Sequence, residues 1–419
     1  MFRLKNFFLP IIWIVSILIA IIWSYENPEK IENLKNIYKK NNNPKIKKVD
    51  SNIENIFYAN SFEVFLEKVL EFENKVAFMS YPKDKKFNKD EIIIYTQDGY
   101  IITNLRTQKI DLPNYFTLQR NGGVKTIISI NENKIALISG NEGNCFFASL
   151  FLIGANKEIL RTKCLPELPK NIDFNGLGSS NIHFDEFIYF ILGTPEKYVS
   201  KNSLLAQSKN SLFGKILRVK KEDILDKIND KVETLNVEVF TKGHRVPQGL
   251  TMINKKIFSV EHGPKGGDEL NLIIKDGNYG WPNVSYGTNY LTNGRDGKSI
   301  QVNHEINGYN EPLLALVPSI GISSLNKCPS KLIEYYEKNC LLALSLYGNN
   351  LRKGHSIIVF LLNNSMNKVD SFEIIQLKDL VLRHFLTNDK NELFEDTDGN
   401  IYVTSDKQGV FKVRFDNFR

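Results

Sequence analysis

The densest chemistry in this chain lies between Gly243 and Pro282. The string Gly243-His244-Arg245-Val246-Pro247-Gln248-Gly249-Leu250 leads, after a short interval, into an apolar run from Ile257 to Val260. Glu261-His262-Gly263-Pro264-Lys265-Gly266-Gly267-Asp268-Glu269-Leu270-Asn271 follows, and then Gly277-Asn278-Tyr279-Gly280-Trp281-Pro282. Arg245 offers a planar fork of donors that matches a carboxylate. Gln248 can hydrogen-bond a ligand oxygen or a backbone group, and Gly249 lets the chain approach a flat ligand closely. Gly263 and Pro264 end a strand in a turn that can point carbonyls outward, as a hard cation such as calcium requires. Structural roles compete: the Gly267-Asp268-Glu269 turn can simply shape a loop, Asp268 and Glu269 can hold Arg245 in a buried ion pair, and Tyr279 and Trp281 can be core.

Such groups need a rigid scaffold, and from about Ser61 onward the chain supplies short β-branched and aromatic runs separated by Gly, Asn, Asp and Pro. One phrase recurs, a turn residue leading into largely apolar positions: Asp98 to Ile102, Asn133 to Ile138, Glu186 to Phe190, Lys255 to Val260, Asn339 to Leu344 and Asp398 to Val403. Six copies imply six units, with room for a four-stranded blade in each interval from the second copy onward. The fold expected is all-β, a six-bladed β-propeller, against a β-sandwich with accidental similarity among its strands. The strand Phe62 to Leu66 is expected to close the ring against Phe411 to Phe415, which leaves neither edge unpaired.

A chain of 419 residues exceeds the usual single core of about 250, which fits a repeat-built domain. Hydrophobic content of 42% is ample for a packed core. The net charge of +7 is concentrated in one Asn-rich segment holding Lys30, Lys35, Lys39, Lys40, Lys45, Lys47 and Lys48, not on a folded face, which argues against nucleic acid as a partner. Phe7 to Trp23 is apolar and preceded by Arg3 and Lys5, long enough to span a hydrocarbon core of about 30 Å. No small-residue cleavage site follows it, so one uncleaved N-terminal transmembrane helix is expected, against a cleaved signal peptide. The organisation expected is a transmembrane signal-anchor over 1–25, a polar stalk over 26–55 and the propeller over 56–419. Cys145 and Cys164 flank the turn Gly154-Ala155-Asn156-Lys157 at nearly equal distances and can pair across two strands; Cys328 and Cys340 can form a second bridge. Two disulfides suit an oxidising, periplasmic or other extracytoplasmic compartment, and four free buried thiols are the alternative.

The strings Gly243 to Leu250 and Glu261 to Asn271, in this order with a strand between them, resemble the glucose/sorbosone dehydrogenase family. Gly214-Lys215-Ile216-Leu217-Arg218-Val219 and Asp398 to Asp406 look like that family's strand phrases elsewhere. The resemblance implies a six-bladed propeller that oxidises a sugar with pyrroloquinoline quinone and calcium. By resemblance, Arg245, Gln248, Gly249 and His262 line the cofactor, and the Gly263 and Pro264 carbonyls hold the calcium. The family's proton-accepting histidine opens a His-x-Gly-Ser-like phrase, and the matching phrase here begins at Leu177, which cannot accept a proton. His183 is the nearest imidazole. Gly193 is followed by Thr194 where the family has Gly-Asp, so a carboxylate is expected to be missing. Val246 stands for an asparagine and Tyr347 for a lysine. Asp389 and Asn391 fall where paired arginines are expected, with Arg383 too far upstream for a gap-free match. Three readings stay open: a sugar dehydrogenase-like oxidoreductase, a non-catalytic propeller that binds a glycan, peptide or partner protein, and a rim-calcium hydrolase or lactonase.

Overall fold

The computed structural model describes residues 54–419 apart from 82–87, 197, 291–295, 301–302, 347–354, 378–379 and 407. The expected membrane helix, most of the expected stalk and Tyr347 therefore lie outside the described residues. Among the described residues no helix is long and apolar enough to cross a membrane.

Six antiparallel sheets of four or five strands follow one another along the chain, as expected of a six-bladed propeller. Their first strands, Val76–Ser80, Val124–Ile130, Asn181–Phe184, Val246–Ile253, Ile322–Lys327 and Leu382–Phe385, face one another around the axis. The third blade is tied to the second there by Asn181 Nδ2, which donates to Thr126 Oγ1 at 3.1 Å and to the Ile127 carbonyl at 3.0 Å. The ring closes where Glu63–Leu70 pairs with Gly409–Asp416, with Val64 opposite Phe415 and Leu66 opposite Val413. Glu54–Tyr58 then adds a fifth strand outside it.

Apolar side chains collect in six clusters, one in each gap between neighbouring blades. A blade thus buries both faces, and its strands read as continuous apolar runs where a one-sided sheet would alternate. Five of the recurring phrases are second strands of their blades. The phrase at Asp98 is a third strand, Tyr100–Ile102, because Asp98-Gly99 closes a tight hairpin after Ile93–Thr96 and carries the same turn signature.

Both disulfides form, Cys145 with Cys164 and Cys328 with Cys340. The first closes a loop of 19 residues and fastens the chain entering the third blade to the second. Replacing both of its cysteines by serine is expected to cost about 3 kcal/mol through the larger entropy of the unfolded chain. An unchanged urea midpoint would show that the bridge contributes nothing to stability.

Candidate functional site

Arg245 begins the fourth blade and His262 ends that blade's second strand, so antiparallel pairing of Val246 with His262 brings the two functional strings together at one rim. Arg245 Nη1 donates to the Gly263 carbonyl at 2.7 Å and more weakly to the His262 carbonyl at 3.4 Å. The guanidinium lies 5.2 Å from the centre of the Trp281 ring, a cation–π arrangement. Its Nε is 3.7 Å from Glu196 Oε1. Nη1 is committed in this way, whereas Nε, though buried near Glu196, makes no hydrogen bond. A small pocket opens here, lined among others by Arg245, His262, Gly263, Pro264, Glu269 and Trp281.

The carboxylate beside Arg245 is thus Glu196. It comes from the loop after the third blade's second strand, two residues beyond the Gly193-Thr194 pair where an acid was expected to be missing. That loop is pinned by Thr194, whose N–H and Oγ1 donate to the Arg245 carbonyl at 2.7 and 3.0 Å. Asp268 and Glu269 do not pair with Arg245. Asp268 accepts backbone N–H groups, and Glu269 shares Asn271 with Glu261 at 3.2 and 3.1 Å. Glu261 and Glu269 stand opposite each other on neighbouring strands, share Asn271 and line the same rim pocket without reaching the guanidinium. Burial and the neighbouring Glu261 carboxylate drive Glu269 well above the ordinary carboxylate range.

Burial lifts Glu196 to about 7, while Arg245, Ser203, Thr194 and Trp281 pull it back. Its ordinary value is 4.5, so between 4.5 and about 7 the native state holds a proton that the unfolded chain has released. The stabilisation is complete below the lower value and is lost as pH rises through the upper one. Glu196→Gln is expected to flatten this part of the stability profile, worth about 3 kcal/mol at most. Equal urea midpoint slopes between about pH 4.5 and pH 7.5 in both proteins would count against it.

The other expected site residues disperse. Gln248 faces a second small pocket on the propeller axis, with Ser179, Ser180, Ser324, Asn326 and His384 among its lining. Gly249 serves packing between blades and not a ligand, because a Cβ there would lie 2.5 Å from the Leu325 nitrogen. Tyr279 is core: its hydroxyl donates to the Leu272 carbonyl at 2.5 Å and its ring stacks on His244. His183 pairs with Ile188 beside the Asp185-Glu186 turn, at the end of the third blade opposite to Thr194 and Arg245. Burial first, then Lys221 and Lys390, push His183 down to about 4.

Leu177 is fully buried in the apolar cluster between the second and third blades. Counting two positions back from Gly178 places the His-x-Gly-Ser spacing on Gly176, whose Cβ position is blocked by the Thr194 carbonyl at 2.1 Å. Neither residue offers an imidazole. His384, on the sixth blade's inner strand, does reach the axial cavity. Donation from Nε2 to the Val76 carbonyl at 3.1 Å leaves Nδ1 as an acceptor. Burial and Arg383 lower this imidazole to about 4, so it is neutral at pH 7.

Asp389 and Asn391 sit on an excursion of the sixth blade's inner strand, which is why a gap-free match misplaced them. The excursion leaves at Leu386 and returns at Phe394, whose N–H donates to the Leu386 carbonyl at 3.0 Å. Asn391 crosses the axis to donate to the Asn181 carbonyl, and Asp389 pairs with Lys134 at 2.7 Å. Arg383 stays on the inner strand, paired with Asp406 at 2.6 Å. Lys125, on the second blade's inner strand, donates to the Asn121 carbonyl at 2.6 Å. Burial, Arg383 and Lys75 drive Lys125 down to about 7 against the pull of Asp173. Arg383 also acts on His262, as Arg245 does, so cations approach the rim from two blades. Sequence reasoning missed Glu196, Lys125 and His384. Their one signal was a charged or titratable residue within an apolar, strand-like stretch or beside a Gly-Thr turn.

The model of the glucose/sorbosone dehydrogenase family matches residues 167–412. Over 87 residues the chain is 39% identical to quinoprotein glucose dehydrogenase B of Acinetobacter calcoaceticus, a stretch that covers 20% of this chain and 18% of that protein. Over 89 residues it is 37% identical to aldose sugar dehydrogenase YliI of Escherichia coli, covering 20% and 24%. The matched stretches thus span about a fifth of this chain and of the curated relatives. The apo-form of the soluble aldose sugar dehydrogenase from Escherichia coli superposes with a TM-score of 0.63 at 19% identity, covering 84% of this chain and 99% of that one. The PQQ-bound aldose sugar dehydrogenase of Streptomyces coelicolor gives 0.55 at 16% identity, covering 89% and 98%. At these identities the structural likeness establishes the fold.

Proposed function

The chain belongs to the glucose/sorbosone dehydrogenase family, and from that premise we propose that it is a quinone-dependent oxidoreductase acting on a sugar. The observation that carries this reading is the rim pocket in the matched stretch, which the Arg245 guanidinium lines with Trp281 beside it. The cofactor proposed is pyrroloquinoline quinone, the group bound in the Streptomyces coelicolor structure. Arg245, which lines the pocket beside the Gly263 carbonyl, suits an anionic planar quinone, and an anion would also relieve the lowering of the Lys125 ammonium by burial, Arg383 and Lys75. Arg245, Lys125 and Arg383 would hold the quinone's carboxylates or oxygens, and Trp281 backs the guanidinium. When bound, the quinone supplies the hydride acceptor for a sugar hydroxyl carbon. The chain's own task is then to take the hydroxyl proton, and His384 Nδ1 is a neutral acceptor among the hydroxyls and amides of the axial cavity.

The test is a melting and dye-reduction assay on the purified full chain with pyrroloquinoline quinone and a panel of aldoses. A quinone-dependent rise in Tm together with aldose-dependent reduction is expected. Neither effect at saturating quinone would remove the enzyme reading. The absence of an imidazole at Gly176 and Leu177 favours the second reading, a non-catalytic propeller that binds a glycan, peptide or partner protein, and a Tm shift with sugar but not quinone would select it.

We further propose a single-pass anchor at residues 7–23 and an extracytoplasmic propeller. Two disulfides support that compartment. Protease added to spheroplasts, with the outer membrane removed, should digest the propeller, and its full protection there would place it inside.

A further inference from the structure

We propose that the Arg245 guanidinium is a built-in substitute for a divalent cation at the Gly263 carbonyl, so that this rim site works without bound metal. The turn at Gly263-Pro264 is the one expected to offer carbonyls to calcium. Its Gly263 oxygen is already bonded to Arg245 Nη1 at 2.7 Å, and the His262 oxygen lies 3.4 Å from the same nitrogen. A cation seated on these oxygens would stand against a guanidinium only 9% exposed, with little water to screen the repulsion. Glu196 and Trp281 flank the guanidinium. Glu196 Oε1 lies 3.7 Å from its Nε and the Trp281 ring centre lies 5.2 Å from its Cζ.

Two acidic side chains beside the turn, Asp268 and Glu261, are engaged elsewhere and not offered to a cation. Asp268 Oδ2 accepts the N–H groups of Ile320, Gly321 and Ile322 at 3.1, 2.7 and 3.1 Å, while Oδ1 accepts that of Gly263 at 3.2 Å. Glu261 Oε2 accepts the Arg245 N–H at 3.0 Å, and its Oε1 takes Asn271 at 3.1 Å. Among the described residues no group of three His, Cys, Asp or Glu side chains is placed to hold a metal. The geometry therefore supplies one positive charge at the turn, bonded through Nη1 to the Gly263 carbonyl. A planar guanidinium performs this polarising task through directed hydrogen bonds where a metal ion would act as a point charge.

Terbium(III), a luminescent stand-in for calcium, tests this without turnover, so the outcome is separate from that of the dehydrogenase reading. The full chain is expected to show no calcium-displaceable terbium emission excited through tryptophan, and the same Tm in calcium and in EDTA. Arg245→Ala is expected to gain saturable, calcium-displaceable emission at least tenfold above the wild-type protein, lost again when Trp281→Phe is added. Arg245→Gln, which keeps more of the packing, is the second variant if Arg245→Ala does not fold. Calcium-displaceable emission or an EDTA-lowered Tm in the wild-type protein would overturn the proposal. So would folded variants that gain no emission. If neither variant folds, the wild-type titration alone decides, emission overturning the proposal and its absence upholding it.

Discussion

Asp268→Ala is expected to destabilise the propeller by about 4 kcal/mol, more than any other single change at the rim. Its carboxylate is 1% exposed and accepts four backbone N–H groups, one from Gly263 and three from the chain entering the fifth blade. Those three belong to residues 320–322, where Ile320 is 3% and Ile322 0% exposed, so water cannot replace the acceptor without opening the blade junction. Each stranded donor costs about 1–3 kcal/mol, and the sum is not additive because the loop relaxes. Asp268→Asn keeps one oxygen in place and is expected to lose about half as much, since neutral bonds are roughly half as strong as charge-assisted ones. Urea denaturation of both variants checks this. A loss below about 1 kcal/mol for the alanine variant would mean that the turn and the blade junction are held by something else.

Arg245→Ala is expected to raise the dissociation constant for pyrroloquinoline quinone about 100-fold, the equivalent of about 3 kcal/mol. The proposed contact is charge-assisted and desolvated, with Trp281 behind the guanidinium and Gly263 fixing its orientation. Truncation removes the guanidinium donors and also leaves the Gly263 carbonyl and Glu196 without their cation. Arg245→Lys separates the two roles. A lysine ammonium is a point charge that cannot bond the carbonyl and a ligand oxygen through a rigid fork, so an intermediate loss of about tenfold is expected. Quenching of tryptophan fluorescence by the quinone measures all three affinities. Equal affinities would place the quinone, if it binds, away from this rim.

The sequence made the architecture legible because a propeller repeats one local pattern, and local patterns survive without tertiary information. Even the off-by-one phrase at Asp98 left the number of blades intact, since hairpin turns and apolar strands carry the same signature wherever they occur in a blade. Ring closure was readable for a related reason: two apolar strands at the ends of the folded region would otherwise each leave an open edge. Both cysteine pairs followed from their positions around a turn and a short segment. Arg245, His262, Gly263 and Pro264 line one pocket because their strings are contiguous and strand pairing brings the two strings together.

What the chain's linear order could not reveal is which partner each group meets. Glu196 reaches Arg245 across the junction of two blades, 49 positions from it, and no spacing rule marks such a pair. The Leu386 to Phe394 excursion is a gap that only the backbone shows, and it moved Asp389 and Asn391 off the rim while leaving Arg383 on it. Gln248 and Gly249 lie in the same string as Arg245, but the pairing shifts register between Pro247 and Gly249, and the Gln248 side chain reached the axis while the Gly249 backbone packed against the neighbouring blade. The amino-acid sequence by itself determined the repeat, the blades and the identity of the rim's cation and carbonyls. Folding alone decided that this cation rests on those carbonyls, because that contact depends on the separation of two strand ends and on the acid that a third segment brings to them.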